Sequence, residues 1–272
     1  MHYHRPRKGR VMKRAIATLA VLALISGCDD PPAQKAAPSA TATAAAVTPS
    51  AAPVASAAPP KQKKKKKTAA DCGDGPVVKF DDEQLEAAVR LKLQKPEGDV
   101  TRAELGKLTS LNLSQVESDQ IDPCVVPYAK NLKELFLGPG GIDDLSPIAE
   151  LTKLETLRAS ISKVSDLKPL ENLVKLDRLD LGRTQVRDLK PLENLVNLTE
   201  LALDDTPVSD ISPLSKMTKL ERLSLQRTRV SDLSPLKDMK NLKFLYVQDS
   251  PASDHTAVLA PLRKNGLKIF EI

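Results

Sequence analysis

Three cysteines and three histidines carry most of the position-dependent chemistry available to this 272-residue chain. The histidines are His2, His4 and His255. No Cys/His cluster has metal-ligand spacing, which excludes a zinc site. The cysteines stand at 28, 72 and 124. Cys72 and Cys124 leave two readings open. One is a disulfide closing a loop of about 53 residues, for which the chain-entropy model gives about 4 kcal/mol; the other is two unrelated buried thiols. No Ser/His/Asp set, paired carboxylates or Gly-rich phosphate loop can be assembled. Gly138-Pro139-Gly140-Gly141 falls at a strand end and reads as a turn. The expectation is a protein without catalysis and without a cofactor.

Charge is placed unevenly. The chain holds 41 Lys and Arg against 35 Asp and Glu, a formal +6. Residues 1–70 contain 13 basic and 2 acidic residues, which leaves 71–272 at a net −5. A mildly acidic domain argues against nucleic acid as a partner.

An export signal opens the chain. Basic residues end at Arg14 and an apolar run follows from Ala15 to Ile25, too short for the roughly twenty residues that span a bilayer. Met12-Lys13-Arg14 begins a compact signal by itself, so translation is expected to start at Met12. Leu24-Ile25-Ser26-Gly27-Cys28 closes the run. This ending resembles the bacterial lipoprotein box, which implies lipid on Cys28 and a membrane anchor; an ordinary signal peptide with an incidental Cys is the alternative. Asp29 resembles the enteric inner-membrane retention signal, placing the protein at the envelope, on the inner rather than the outer membrane.

Residues 29–60 contain 13 Ala, 7 Pro, 3 Ser and 3 Thr, a composition that cannot bury enough apolar surface to offset chain entropy. The expectation is a disordered tether. Lys61 and the block Lys63–Lys67 end it. Either these lysines attract an anionic lipid or envelope polymer, at about 1 kcal/mol each near a charged surface, or they are a solvated spacer. The domain plan is therefore a signal over 1–27, an acylated tether over 28–70, an N-terminal cap and irregular first coil over 71–128, repeats over 129–260, and a closing strand over 261–272.

The repeat dominates the chain. From Ala129 the sequence recurs every 22 residues, as in Leu173–Asn194 (LVKLDRLDLGRTQVRDLKPLEN) and Met217–Asp238 (MTKLERLSLQRTRVSDLSPLKD). Five full units exceed the three or so that a stable stack needs. In L-x-x-L-x-L, alternate residues turn inward along a short strand, as at Leu176, Leu179 and Leu181. Thr184, Thr206, Thr228 and Ser250 fill a polar slot, where their hydroxyls are expected to bond backbone between coils. Asp144, Asp166, Asp188, Asp210 and Asp232 suit N-caps, and the Pro three residues after each fits the opening of a short turn. Twenty-two residues leave room for a 3-10 or single helical turn only.

This pattern resembles the bacterial leucine-rich repeats of the internalin type, over about residues 79–272. The fold implied is an α/β solenoid: a horseshoe with a parallel concave sheet, short turns on the convex side and a helical N-terminal cap. The entry segment is similar to the family's cap. Asp81 is expected to cap its helix in a box with Gln84, with Phe80 stapled on Leu85. Thr101 and Glu104 form a second capping box, and Leu111-Asn112-Leu113 is the first strand. From Leu113 to Leu137 is 24 residues, so the first coil is irregular.

Function in such solenoids lies on the concave face. One row runs Glu134, Thr156, Arg178, Glu200, Arg222, Phe244; the next runs Phe136, Arg158, Asp180, Ala202, Ser224, Tyr246. Alternating charges either pair across strands or form a ligand stripe. Phe136, Phe244 and Tyr246 are expected to be exposed interface anchors, unless the last two pack with Phe270 under the C-terminal cap. The candidate binding residues are Phe136, Arg158, Arg178, Asp180, Glu200, Arg222, Phe244 and Tyr246. The reading is a monomer that binds an unidentified protein; the alternative is a passive envelope component in which the solenoid is a spacer.

Overall fold

A computed structural model describes residues 66–271. The expected signal peptide, Cys28, Met12 and the tether up to residue 65 lie outside the described residues. Eight three-residue strands form one parallel sheet in sequence order. They are β1 (Ser110–Asn112), β2 (Glu134–Phe136), β3 (Thr156–Arg158), β4 (Arg178–Asp180), β5 (Glu200–Ala202), β6 (Arg222–Ser224), β7 (Phe244–Tyr246) and β8 (Lys268–Phe270). Between β2 and β7 every residue pairs with the one 22 further on, so the sequence period is the strand register.

That register makes the core a set of ladders. Leu135, Leu157, Leu179, Leu201, Leu223 and Leu245 stack behind the sheet, each at most 2% exposed. Further ladders, such as Leu145, Leu167, Leu189, Ile211 and Leu233, fill the space to the convex wall. Each fully buried Leu contributes about 1.5–3 kcal/mol. The convex wall consists of 3-10 turns, each with Pro at its second position, as in Ser146–Ile148, Lys168–Leu170 and Lys190–Leu192. Ahead of each turn the repeating Asp accepts from the N–H two residues on, from Ser146 at 2.7 Å and from Lys168, Lys190, Ser212 and Ser234 at 2.8 Å. At Asp232 the N–H and hydroxyl of Ser234 hold the carboxyl below its usual range. Asp is therefore not the expected N-cap: it stands one residue before the cap position, which Leu or Ile occupies without a side-chain capping bond, and holds the first N–H of the turn instead.

The hydroxyl slot behaves differently from expectation. Thr184, Thr206, Thr228 and Ser250 are buried, but each donates to the carbonyl three residues earlier, at 2.6–2.7 Å. These bonds lie within one coil and do not link coils. The strand preceding the slot ends in a tight turn, and the hydroxyl satisfies a carbonyl there that the next coil does not reach. Coils are linked instead by backbone. Ile161, Arg183, Asp205 and Arg227 adopt left-handed conformations (φ 52–58°), and each N–H bonds a carbonyl of the following coil at 2.7–2.9 Å.

Helix α1 (Glu83–Leu93) and the short α2 (Arg102–Leu105) cap the N-terminal end. Asp82, one residue later than expected, caps α1 by accepting from Gln84 and Leu85, and Gln84 completes no box. Leu85 and Val89 face the core, with Phe80 and Leu93 partly buried against it. The Thr101–Glu104 capping box forms as expected. Its Glu104 carboxyl is held down to about 2 by hydrogen bonds from Lys95 and from the N–H and hydroxyl of Thr101. Strand β1 begins one residue earlier than expected, leaving Leu113 to turn inward. At the far end α3 (Ala260–Lys264), Asn265 and Gly266 lead into β8.

Candidate functional site

The residues that face away from the Leu ladders form the concave surface, and strand pairing fixes their neighbours. Glu134, Thr156, Arg178, Glu200, Arg222, Phe244 and Lys268 lie in one row; Asn112, Phe136, Arg158, Asp180, Ala202, Ser224, Tyr246 and Phe270 lie in the next. The eight candidate residues therefore share one face.

Their charges pair only in part. Arg158 Nε lies 3.1 Å from Asp180 Oδ2. Arg178 does not join Glu200; it turns to its chain neighbour Asp177 at 3.6 Å. Arg222 lies over the Phe244 ring, 5.3 Å from its centroid. The expected Arg178–Glu200–Arg222 series is corrected accordingly. Asp177 is next to Arg178 in the chain, and Phe244 is the strand partner of Arg222 on the side away from Glu200, so each guanidinium has another group within reach. Just past the strand ends, Arg183, Asp205 and Arg227 do pair across coils. Asp205 takes two bonds from Arg227, at 2.5 and 2.8 Å, and lies 3.5 Å from Arg183. The Arg227 bond holds the Asp205 carboxyl below its ordinary range.

The aromatic side chains are half-buried and not fully exposed. Phe136 has Arg158 over it at 5.8 Å. Tyr246 stacks on Phe270 with ring centroids 4.6 Å apart, and Lys268 adds a second cation over Phe244 at 5.8 Å. The C-terminal cap thus covers part of the Tyr246 cluster, while Phe270 stays 38% exposed. Between the two aromatic ends the same row holds the small Ala202 and Ser224.

A second feature escaped the sequence. A cavity of about 540 Å³ lies between α1, the irregular first coil and the segment that enters from Lys66. Leu85, Val116 and Ile142 contribute its apolar surface; Asp81, Asp82, Glu117, Asp119 and Asp122 its acidic one. Lys66 pairs with Asp143, and Lys67 Nζ lies 2.7 Å from Asp81 Oδ2 and 3.6 Å from Asp122 Oδ2. Burial pushes the Asp122 carboxyl up despite its bond from the Cys124 N–H. Burial also opposes the Lys67 charge, but Asp81 and Asp122 outweigh it and raise its pKa. Close by, Cys72 and Cys124 are joined in a disulfide with Cα atoms 5.2 Å apart. The two extra residues of the first coil were the available signal for this cavity.

His255 is exposed and its Nδ1 lies 3.0 Å from the Pro251 carbonyl. Among the described residues no group of three or more His, Cys, Asp or Glu is arranged to hold a metal.

The family profile "Leucine Rich repeats (2 copies)" matches residues 174–216. Among solved structures the chain is similar to internalin C2 of Listeria monocytogenes, with 28% identity over 71% of this chain and 94% of that one, at a TM-score of 0.58. An internalin (inlF) of the same organism is 26% identical over 71% of this chain and 69% of that one, at a TM-score of 0.55. Comparison with curated protein sequences finds no match.

Proposed function

We propose that this leucine-rich repeat solenoid, similar in fold to the Listeria internalins, is a non-catalytic binding module that receives another protein on its concave face. The observation that carries the reading is the arrangement of one register row. Phe136 stands five strands from Tyr246, about 24 Å at ordinary strand spacing, with Arg158, Asp180, Ala202 and Ser224 between them. That span fits a protein surface better than a small molecule. The partly covered rings lose little conformational freedom on binding, and arginines over aromatic faces are common at interfaces.

The test uses the full chain with a photo-crosslinking residue at Ala202 on the concave face or at Glu193 on the convex side. Partner capture is expected at Ala202 alone. Phe136→Ala and Tyr246→Ala should each weaken that capture by about 1 kcal/mol or more, the range of interface anchors. Arg158→Ala should cost less. Equal capture from both faces, or undiminished capture by both aromatic variants, leaves the passive spacer as the reading.

The same proposal places the module at a bacterial envelope, held by lipid on Cys28, because a short apolar run ends there in Leu-Ile-Ser-Gly-Cys. Cys28→Ser is expected to abolish metabolic lipid labelling; labelling that survives the substitution removes the anchor.

A further inference from the structure

The cations of the concave surface are not all compensated from within the chain. Arg158 meets Asp180 and Arg178 meets Asp177, while just past the strand ends Arg183 and Arg227 share Asp205. Arg222 and Lys268 differ. Among the described residues neither pairs with a carboxylate, and each lies over the Phe244 ring, at 5.3 and 5.8 Å from its centroid. Strand pairing sets them on either side of Phe244 in one row. The acids near them are engaged elsewhere. Glu221 takes Lys243, Glu271 takes Arg263, and Asp204 accepts from the Ser224 hydroxyl and the Gln226 N–H. Glu200, the other strand partner of Arg222, makes no ion pair with it. An aromatic face attracts a cation but does not replace the hydrogen bonds that a carboxylate accepts, so the donors of both groups stay open to a ligand.

We propose that Arg222, Phe244 and Lys268 anchor an acidic segment of the partner protein, an extended stretch in which carboxylate side chains alternate with aromatic ones; this rests on the concave-face reading above and adds the partner's chemistry. Charge selects the carboxylates. Two cations without counter-ions attract anions, and a guanidinium donates two parallel N–H bonds to a carboxylate. Spacing suits an extended peptide. Arg222 and Lys268 are two strands apart, about 9.6 Å at ordinary spacing, and alternate side chains of an extended segment, about 6.8 Å apart at their roots, splay to that distance. The neighbouring row selects the aromatic residue. Tyr246 and Phe270 stack there with ring planes 8° apart, and Phe270 is exposed, so the pair forms a flat apolar shelf on which a third ring can lie. The other end of the face lacks such an anchor, because Arg158, the cation over Phe136, is held by Asp180. The acidic segment is therefore directed to the β6–β8 end of the sheet.

Site-resolved footprinting of the full, oxidised chain tests the proposal with two probes, an alternating Glu-Tyr hexapeptide and its Gln-Tyr counterpart. Lysine acetylation reads Lys268 and phenylglyoxal reads Arg222, with Lys168 and Lys190 of the convex turns as in-chain references. The Glu-Tyr peptide is expected to slow modification of Lys268 and Arg222 at least about threefold more than the Gln-Tyr peptide does, as two exposed ion pairs allow. That difference should vanish near 1 M salt, where screening acts over about 3 Å. Arg222→Gln should also reduce the protection of Lys268, since the two act on one segment; both side chains are exposed, and unchanged reactivity of the references checks the fold. Absence of protection, equal protection by both peptides, or equal protection of Lys168 and Lys190 overturns the proposal. Polygalacturonate that protects the row at a lower carboxylate concentration than the peptide makes it a polysaccharide site and likewise overturns it. The cross-linker at Ala202 separates the anchor from the wider reading. Capture confined to Ala202 and weakened by Arg222→Gln with Lys268→Gln is expected. Capture confined to Ala202 but undiminished in that variant overturns the anchor alone, whereas equal capture at Ala202 and Glu193 overturns the concave-face reading and the anchor with it.

Discussion

Replacing Cys72 and Cys124 together by serine is expected to lower the unfolding free energy by about 4 kcal/mol, the chain-entropy value for a loop of this length. The bridge spans 52 residues of separation and ties the entering segment to the first coil. Inside that loop lie α1, α2 and β1, so most of the N-terminal cap is closed by one covalent bond. Weaker ties run in parallel: Arg102 donates to the Gly73 carbonyl, and Val77 bridges Thr101. They keep the folded loop in place but do not constrain the unfolded chain, which is where the bond acts. In a solenoid each coil is stabilised by its neighbours, so the damage should start at the capped end. Hydrogen exchange should rise first at Leu111 and Leu113 and last at the amides of β5 and β6. Denaturant titration checks the total, and thiol counting on unfolded, unreduced wild-type protein should find no thiol at either position. An unshifted midpoint would mean the cap is held by its noncovalent contacts alone.

Where each residue type repeats at one spacing, the fold was legible. Leu135 and its ladder, the Asp ahead of each turn and the Pro within it occupy fixed places in a 22-residue frame, and that frame is the strand register. The frame specifies positions but not where a flexible group points. The frame puts Thr184 in a slot, yet its hydroxyl turns back to Leu181 because the nearest unsatisfied carbonyl lies in its own coil. The frame puts Arg178 beside Glu200, yet a long guanidinium stem reaches Asp177 as easily, and register cannot choose between them. Tyr246 and Phe270 meet only because β8 adds to the sheet outside the 22-residue period, 24 residues on from β7. The cavity was least legible. It arises where the frame breaks, between Leu113 and Leu137, and irregular backbone leaves no periodic trace.

One glycine packed against that break carries the second large effect. Gly138→Ala is expected to destabilise the protein by about 3 kcal/mol, at the upper end for forced overpacking. A Cβ at Gly138 would lie 2.0 Å from the Val116 carbonyl oxygen, 2.5 Å from that of Leu113 and 2.9 Å from the Val116 carbonyl carbon. All three are backbone atoms, so no change of rotamer relieves the contact. The first coil is also pinned from both sides. Leu113 N–H bonds the Phe136 carbonyl at 2.7 Å, and Val116 N–H bonds the Leu113 carbonyl at 2.8 Å. Moving the coil away would loosen both and widen the cavity that Val116 and Gly138 line. Gly182 supplies the control, for it occupies the same place in the frame two coils later. A Cβ there meets nothing nearer than Asp180 Oδ1 at 3.4 Å and the Asp204 carbonyl at 3.5 Å, which is ordinary contact. Gly182→Ala should therefore stay within about 0.5 kcal/mol of wild type. Urea titration of the two variants side by side measures the difference. Equal midpoints would mean that the first coil does not press on Gly138, and that the cavity wall is looser than this packing requires.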